Sequence, residues 1–318
     1  MLVSVIMPSY NHARYVLDAA KSVLDQTYQH IEIIVIDDGS NDDSVKLLKS
    51  INDSRISLRV QENQGAHNAI NLGLSLAQGD YLCIINSDDM FALNRIERCL
   101  NFLNKEEADF ICSWISIIDG NGKQKGIKKG WYNMRPTWSI TSGSDGFWET
   151  DDFILNLLST NFISTTSNMF FRRSVYNEIG GMQCLRFCHD WDFALRVASK
   201  FPCFIIPEPL MSYRVHDQNT ISSNKQWMMF EVCWVLAYNL FRFEGSVLFG
   251  KNFTPENLQK MINQISSSIY FEGYDRIFWI MRTFIESRRK VLEHDPEDEL
   301  LNDIMLRECF IKLMERKS

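Results

Sequence analysis

Apolar residues in this chain come in short runs separated by polar turns, and two spacings alternate along the first hundred positions. Leu2 to Met7 is rich in β-branched residues and stops at Pro8-Ser9-Tyr10-Asn11, a turn-forming group that ends a strand. Val16, Leu17, Ala20, Val23 and Leu24 then recur at helical spacing, which predicts a helix with one face on a sheet. Ile31 to Ile36 is nearly all apolar, as suits a central parallel strand covered on both faces, and a helix is predicted from Ser44 behind Asp42-Asp43. Ile56 to Gln61 reads as a third strand and Ala66 to Leu76 as a helix. Tyr81 to Ile85 reads as a fourth strand that closes on Asn86-Ser87-Asp88-Asp89.

This alternation predicts a doubly wound α/β domain, in which ligands sit beyond the carboxyl ends of the strands. Those ends carry Asn11, Asp38 and Asp88-Asp89. Ser113 to Ser167 is less regular, with scattered glycines and Trp131, Trp138 and Trp148, and reads as loops plus a helix near Phe153 to Leu158. A strand at Asn168 to Arg172, a helix at Trp191 to Ser199, a short strand at Phe204 to Ile206 before Pro207, and a mostly helical tail from Lys225 complete the expected order. Core packing is the expected role of most of the tryptophans, although an exposed aromatic face can also stack on a ligand.

Charge and composition narrow the function classes. The 318 residues carry 33 Lys and Arg against 40 Asp and Glu, a formal charge of −7, so no general basic field exists to hold nucleic acid. A small cluster, Lys123, Lys125, Lys128 and Lys129, reads as a solvated loop, with an approach to an anionic partner as the weaker alternative. The eight cysteines show no small-scaffold spacing and read as reduced thiols; Cys184, Cys188 and His189 lack the further ligands of a closed zinc site. The first residues lack a basic start and a long apolar stretch, so a cytoplasmic chain is expected. Trp227 to Phe241 is interrupted by Glu231 and Asn239 and is too short to span a bilayer.

Four Asp-Asp doublets stand out. Asp42-Asp43 and Asp151-Asp152 precede helices and are explained as caps or first-turn acids. Asp37-Asp38 and Asp88-Asp89 end apolar strands, where paired carboxylates repel unless a cation or donor relieves them; for either alone, turn chemistry is an equal explanation. A hard divalent cation takes one or two carboxylates plus substrate phosphates, which Asp88-Asp89 can supply, and Asp38 can accept hydrogen bonds from a base or ribose. A nucleoside diphosphate satisfies both doublets.

Four ordered motifs then carry a resemblance: Val3 to Asn11, Glu32 to Ser40, Asn63-Gln64-Gly65 with Asn71-Leu72-Gly73, and Gly79-Asp80-Tyr81 leading to Ser87-Asp88-Asp89. Phe171-Arg172-Arg173 to Gly181, His189-Asp190-Trp191-Asp192 to Arg196, and Tyr213-Arg214-Val215-His216 continue it to about Ser223. The sequence resembles the family-two inverting glycosyltransferases of the GT-A fold. That resemblance implies a mostly parallel doubly wound sheet flanked by helices over 1–223, with a nucleotide-binding half at 1–112 and an acceptor-side half at 113–223, and a helical C-terminal extension at 224–318. It also implies a donor pocket of Pro8, Ser9, Tyr10, Asn11, Asp38, Gly65 and Asp88, with Asp88 facing ribose or metal. Asp89 is implied as the ligand of Mn²⁺ or Mg²⁺, with His216 at a position that can join it, and Asp190 as the catalytic base.

The activity so implied is metal-dependent transfer of a sugar from a nucleotide sugar, a UDP-sugar foremost, to a glycan or lipid-linked hydroxyl. The expected place is the cytoplasm, including the inner face of a membrane by peripheral association. One carboxylate suffices to deprotonate an acceptor in a single displacement; the competing reading of Asp190 is an N-cap. His189 stands where the family often has Glu, which motivates the rival of a sugar-nucleotide-binding module without turnover. A nicotinamide-dependent dehydrogenase needs a glycine-rich fingerprint after the first strand, which Pro8-Ser9-Tyr10-Asn11 does not supply.

Overall fold

The computed structural model describes residues 1–130, 153–217, 224–243, 275–292 and 295–315. They fall into two compact units. One comprises 1–130, 163–182 and 200–217; the other comprises 153–162, 183–199, 224–243, 275–292 and 295–315. Trp131, Trp138, Trp148 and Asp151-Asp152 lie outside the described residues.

The first unit is built on one sheet. Its opening strands are β1 (Val3–Ser9), β2 (Ile31–Asp37), β3 (Ile56–Val60) and β4 (Tyr81–Ile84), and between them run α1 (Val16–Leu24), α2 (Ser44–Lys49) and α3 (Ala66–Leu76). β5 (Met90–Phe91), α4 (Arg95–Lys105), β6 (Phe110–Asp119), β7 (Gln124–Lys128), β8 (Phe170–Arg172), α6 (Arg173–Ile179) and β9 (Cys203–Val215) follow. Spatial order is β3-β2-β1-β4-β8-β6-β9-β5, with β7 on β6. β1 to β4 are mutually parallel, with Val5 opposite both Ile33 and Cys83. β8 then runs antiparallel between β4 and β6, and β6 pairs parallel with β9.

Strand periodicity sorts the core into two layers. Val3, Val5 and Met7 of β1, with Ile31, Ile33 and Val35 of β2, pack with Val16, Ala19, Ala20 and Val23 of α1 and Ile96, Cys99, Leu100 and Leu103 of α4. The intervening Ile6 meets α3, where a Cβ on Gly73 would stand 2.4 Å from the Ile6 Cγ2. Glycine there lets helix and sheet approach. Leu17, expected on the buried face of α1, is 38% exposed, and Ala19 takes its place, since the packed stripe runs 16, 19/20, 23.

The stretch from Ser113 read as irregular opens with a β-hairpin. Asp119 Oδ1 accepts the N–H of Asn121 and of Lys123, both at 3.0 Å, and Gly122 adopts φ +82°, so Gly120-Asn121-Gly122 turns β6 into β7. The short strand expected to stop at Pro207 instead continues to Val215. The register shifts between Ser113 and Trp114, so that Ile206 faces Ser113, Pro209 faces Trp114, and Pro207-Glu208 bulge out of the ladder.

The second unit is helical: α5 (Phe153–Ser159), α7 (His189–Ala198), α8 (Lys225–Asn239), α9 (Asp275–Val291), α10 (Glu297–Asn302) and α11 (Ile304–Glu315). Every residue of α7 from Asp190 to Ala198 is buried, a wider burial than a single stripe provides. Among the described residues no helix is long and apolar enough to cross a membrane.

Candidate active site

The turns after β1 and β2 interlock. Asp37 is fully buried; its Oδ1 accepts the Ser40 N–H at 2.8 Å, while Oδ2 accepts the hydroxyls of Ser9 at 3.1 Å and Ser40 at 2.7 Å. Asn11 sits at φ +53°, a conformation its short amide tolerates; its N–H donates to Ser40 Oγ, and its Oδ1 accepts the Asn41 N–H. Pro8 and Ser9 are buried in β1, whereas Tyr10 is 43% exposed.

Asp38 gathers the segment after β3. Its Oδ1 accepts the Gln61 side-chain amide at 2.7 Å and the Gln64 N–H at 2.9 Å, and its Oδ2 accepts the Gly65 N–H at 2.8 Å. The carboxylate therefore ties the segment after β3 to the end of β2. Gly65, at φ +91°, precedes α3 in a conformation that favours glycine.

Asp88 and Asp89 diverge. Asp89 is 1% exposed, and its Oδ2 accepts the Ser167 hydroxyl at 2.5 Å and the Thr165 hydroxyl at 3.4 Å, while Oδ1 accepts the Arg214 N–H at 3.0 Å. Burial first, then the neighbouring Asp88 charge, pushes its carboxyl well above the ordinary range. Asp88 turns the other way: its Oδ2 lies 3.0 Å from His216 Nε2 and 3.9 Å from His12 Nε2. Candidate ligand atoms of His12, Asp88 and His216 all lie within 4.8 Å of one another. Thus the cluster that could hold a cation contains Asp88 and His216, and Asp89, expected as the metal ligand, packs behind it.

His12 is the member that sequence reasoning missed. It directly follows Asn11, the last residue of the motif that begins with β1. Its N–H donates to Ser44 Oγ at 3.1 Å, and its Nδ1 lies 2.8 Å from Ser87 Oγ, which leaves Nε2 toward Asp88. Burial lowers its pKa, with Asp88 opposing and His216 adding to the fall, so the neutral ring that can ligate a metal is favoured. Tyr15 packs on the His216 ring at a centroid distance of 4.9 Å.

Asp190 belongs to the second unit. It sits in the first turn of α7, one residue inside a helix whose N-cap is Cys188, and so is not the N-cap. Its Oδ2 accepts the Asn161 amide at 3.1 Å and its Oδ1 the Trp191 N–H at 2.7 Å. Burial raises its pKa, with His189 and the Asn161 hydrogen bond pulling the other way. His189 Nδ1 lies 3.2 Å from the Leu185 carbonyl.

A family model described as Glycosyl transferase family 2 matches residues 4–180, more than half the chain. The chain belongs to glycosyl transferase family 2. Asp190 and His216 lie beyond that matched span. The glycosyltransferase GlyG of Streptococcus pneumoniae is 40% identical over 113 residues, 35% of this chain and 38% of its own length. An uncharacterized glycosyltransferase of Rickettsia typhi is 31% identical over 238 residues, 73% of this chain and 70% of its own length. Among solved structures, Staphylococcus aureus TarS 1-349 superposes with a TM-score of 0.59 at 16% identity, covering 92% of each chain. A Pyrobaculum calidifontis mannosyltransferase in complex with GDP-Man and Mn²⁺ gives 0.54 at 14% identity, covering 99% of this chain and 86% of the other. At these identities the likeness establishes the fold, and it is the GT-A arrangement expected of this family-two member.

Proposed function

We propose that this family-two protein transfers a sugar from a nucleoside diphosphate sugar, a UDP-sugar foremost, to a hydroxyl of a glycan or lipid-linked acceptor, with inversion at the anomeric carbon. The observation that carries the reading is the convergence of Asp88, His216 and His12 beyond the carboxyl ends of the parallel strands. One carboxylate and two imidazoles fit a divalent cation that takes nitrogen as well as oxygen ligands, Mn²⁺ ahead of the oxygen-seeking Mg²⁺. A cation bound there supplies positive charge for the departing diphosphate. The S. aureus TarS complexes with UDP and UDP-GlcNAc, and the mannosyltransferase complex with GDP-Man and Mn²⁺, support this donor class.

In this reading Pro8 to Asn11, Gly65 and Asp88 line the nucleotide site. Asp38 has three of its roughly four acceptor positions filled from within, and the remaining one is offered to the base. Asp89 holds the Ser167 and Arg214 segments behind Asp88. Asp190 accepts the acceptor's hydroxyl proton as that oxygen bonds to the anomeric carbon. The bond from this carbon to the diphosphate oxygen breaks in the same displacement, and its electron pair leaves with the diphosphate. A pKa raised by burial makes Asp190 a stronger base than a solvated carboxylate. Peripheral association with a membrane fits a lipid-linked acceptor.

The test is release of UDP from a panel of UDP-sugars with crude glycan and lipid acceptors. Release that requires Mn²⁺ or Mg²⁺, stops with EDTA and is lost in Asp190→Asn with UDP affinity intact is expected. UDP affinity without turnover by the parent protein would favour the binding-module alternative instead.

A further inference from the structure

One buried acid on the C-terminal helices reaches the segment that leads into Asp190. Glu231, in the middle of α8, is 1% exposed. Its Oε1 accepts the Arg186 N–H at 2.7 Å, and its Oε2 accepts the N–H of Phe187 at 2.6 Å and of Cys188 at 3.0 Å. Three successive amides aimed at one carboxylate make an anion nest built inside the protein. Cys188 is the N-cap of α7, and Asp190 follows in its first turn. The same helix holds α7 a second time through Asn239, whose amide donates to Asp192 Oδ1 at 2.8 Å.

We propose that Glu231 is a positioning residue for glycosyl transfer: from the C-terminal helix α8 it fixes the 186–188 turn and thereby the place of the Asp190 carboxylate. This rests on the reading of Asp190 as the base. A carboxylate satisfies all three N–H groups, whereas the near-isosteric glutamine accepts through one oxygen and presents its NH₂ to the remaining donor. Loss of the clamp frees the turn, and a displacement of about 1 Å at a reacting group lowers turnover by about 10²-fold. The helical extension is on this view a structural part of the acceptor-side machinery.

Three variants test it: Glu231→Gln, Asp190→Asn and the double variant, each assayed as UDP release from the UDP-sugar that the parent turns over fastest. Hydrogen exchange of the 186–188 amides and calorimetric UDP affinity are measured beside it. The expected result for Glu231→Gln is faster exchange at those amides, a fall in kcat of about 10²-fold and unchanged UDP affinity. The double variant is expected to be no slower than Asp190→Asn alone, because both changes act on one group. Parental kcat or unaltered exchange in Glu231→Gln overturns the inference, and so does a double variant slower than Asp190→Asn by the full Glu231→Gln factor. Turnover near the parental rate in Asp190→Asn, in contrast, removes the base reading itself and is told apart by that variant alone.

Discussion

His216 Nε2 lies 3.0 Å from Asp88 Oδ2, although 128 residues separate the two in the chain. The contact exists because β9 runs parallel beside β6 and pairs antiparallel with β5, the short strand that follows Asp88-Asp89, so the end of β9 is carried alongside that doublet. Arg214, two residues earlier, locks the return by donating its N–H to Asp89 and its Nε–H to the Asp88 carbonyl at 2.8 Å. One acid of the doublet thus anchors the strand while the other meets the histidine that the strand delivers.

The two acids should therefore separate in mutagenesis. Asp88→Ala is expected to weaken Mn²⁺-dependent UDP binding at least about tenfold while leaving the unfolding midpoint close to the parent's. Asp89→Ala leaves the Ser167 and Thr165 hydroxyls and the Arg214 N–H without their acceptor and is expected to cost about 1–3 kcal/mol of stability. Calorimetric titration and urea denaturation on both variants check the contrast, and equal stability losses would contradict it.

Asp38 should act on the nucleotide through the segment it holds. Asp38→Ala removes the acceptor for the Gln64 and Gly65 amides, so weaker UDP binding is expected together with faster exchange at those two amides. Tight UDP binding with exchange restored to unprotected rates would show that the tie is dispensable.

Gly73 tests the packing of α3 on β1. An alanine Cβ would stand 2.4 Å from Ile6 Cγ2, so Gly73→Ala is expected to lose about 1–3 kcal/mol by overpacking. Adding Ile6→Ala removes the clashing methyl, and the double variant should then fall less than the sum of the single losses. Additive losses in urea melts would refute the contact.

Glu297 sets a pH dependence in the helical unit. Burial, then the Asp192 carboxylate, pushes its pKa from 4.5 up to about 8, with Arg242 and Arg196 opposing the rise. The folded chain thus binds this proton more tightly than the unfolded chain, and the stability it contributes is complete below pH 4.5 and declines as pH rises toward about 8. Glu297→Gln, fixed in the neutral form, should gain on the parent as pH rises through that window. Thermal melts of both at matched pH values check this, and parallel curves would exclude it.

Much of the fold was legible because strands and helices of the first hundred residues carry their own periodicity. The packing glycine of the Asn71-Leu72-Gly73 motif, and Gly39 with its φ of +79° after Asp37-Asp38, also stand in the sequence as landmarks. Less was legible beyond residue 90. α4 carries a buried stripe of Ile96, Cys99, Leu100 and Leu103 at helical spacing, and Asp119-Gly120-Asn121-Gly122 is the turn signal between β6 and β7. The passage of β9 through two prolines was not announced, since only a parallel neighbour with a shifted register accommodates them.

By itself the sequence determined the alternation of strand and helix and the gathering of acids at strand ends, because both depend on near neighbours in the chain. Tertiary structure decided which acid of Asp88-Asp89 meets the histidines, that His12 joins them, and that Glu231 holds the turn before Asp190. Those choices depend on which distant segment a side chain faces, and hydrogen-bond geometry between segments is fixed only when the chain closes on itself.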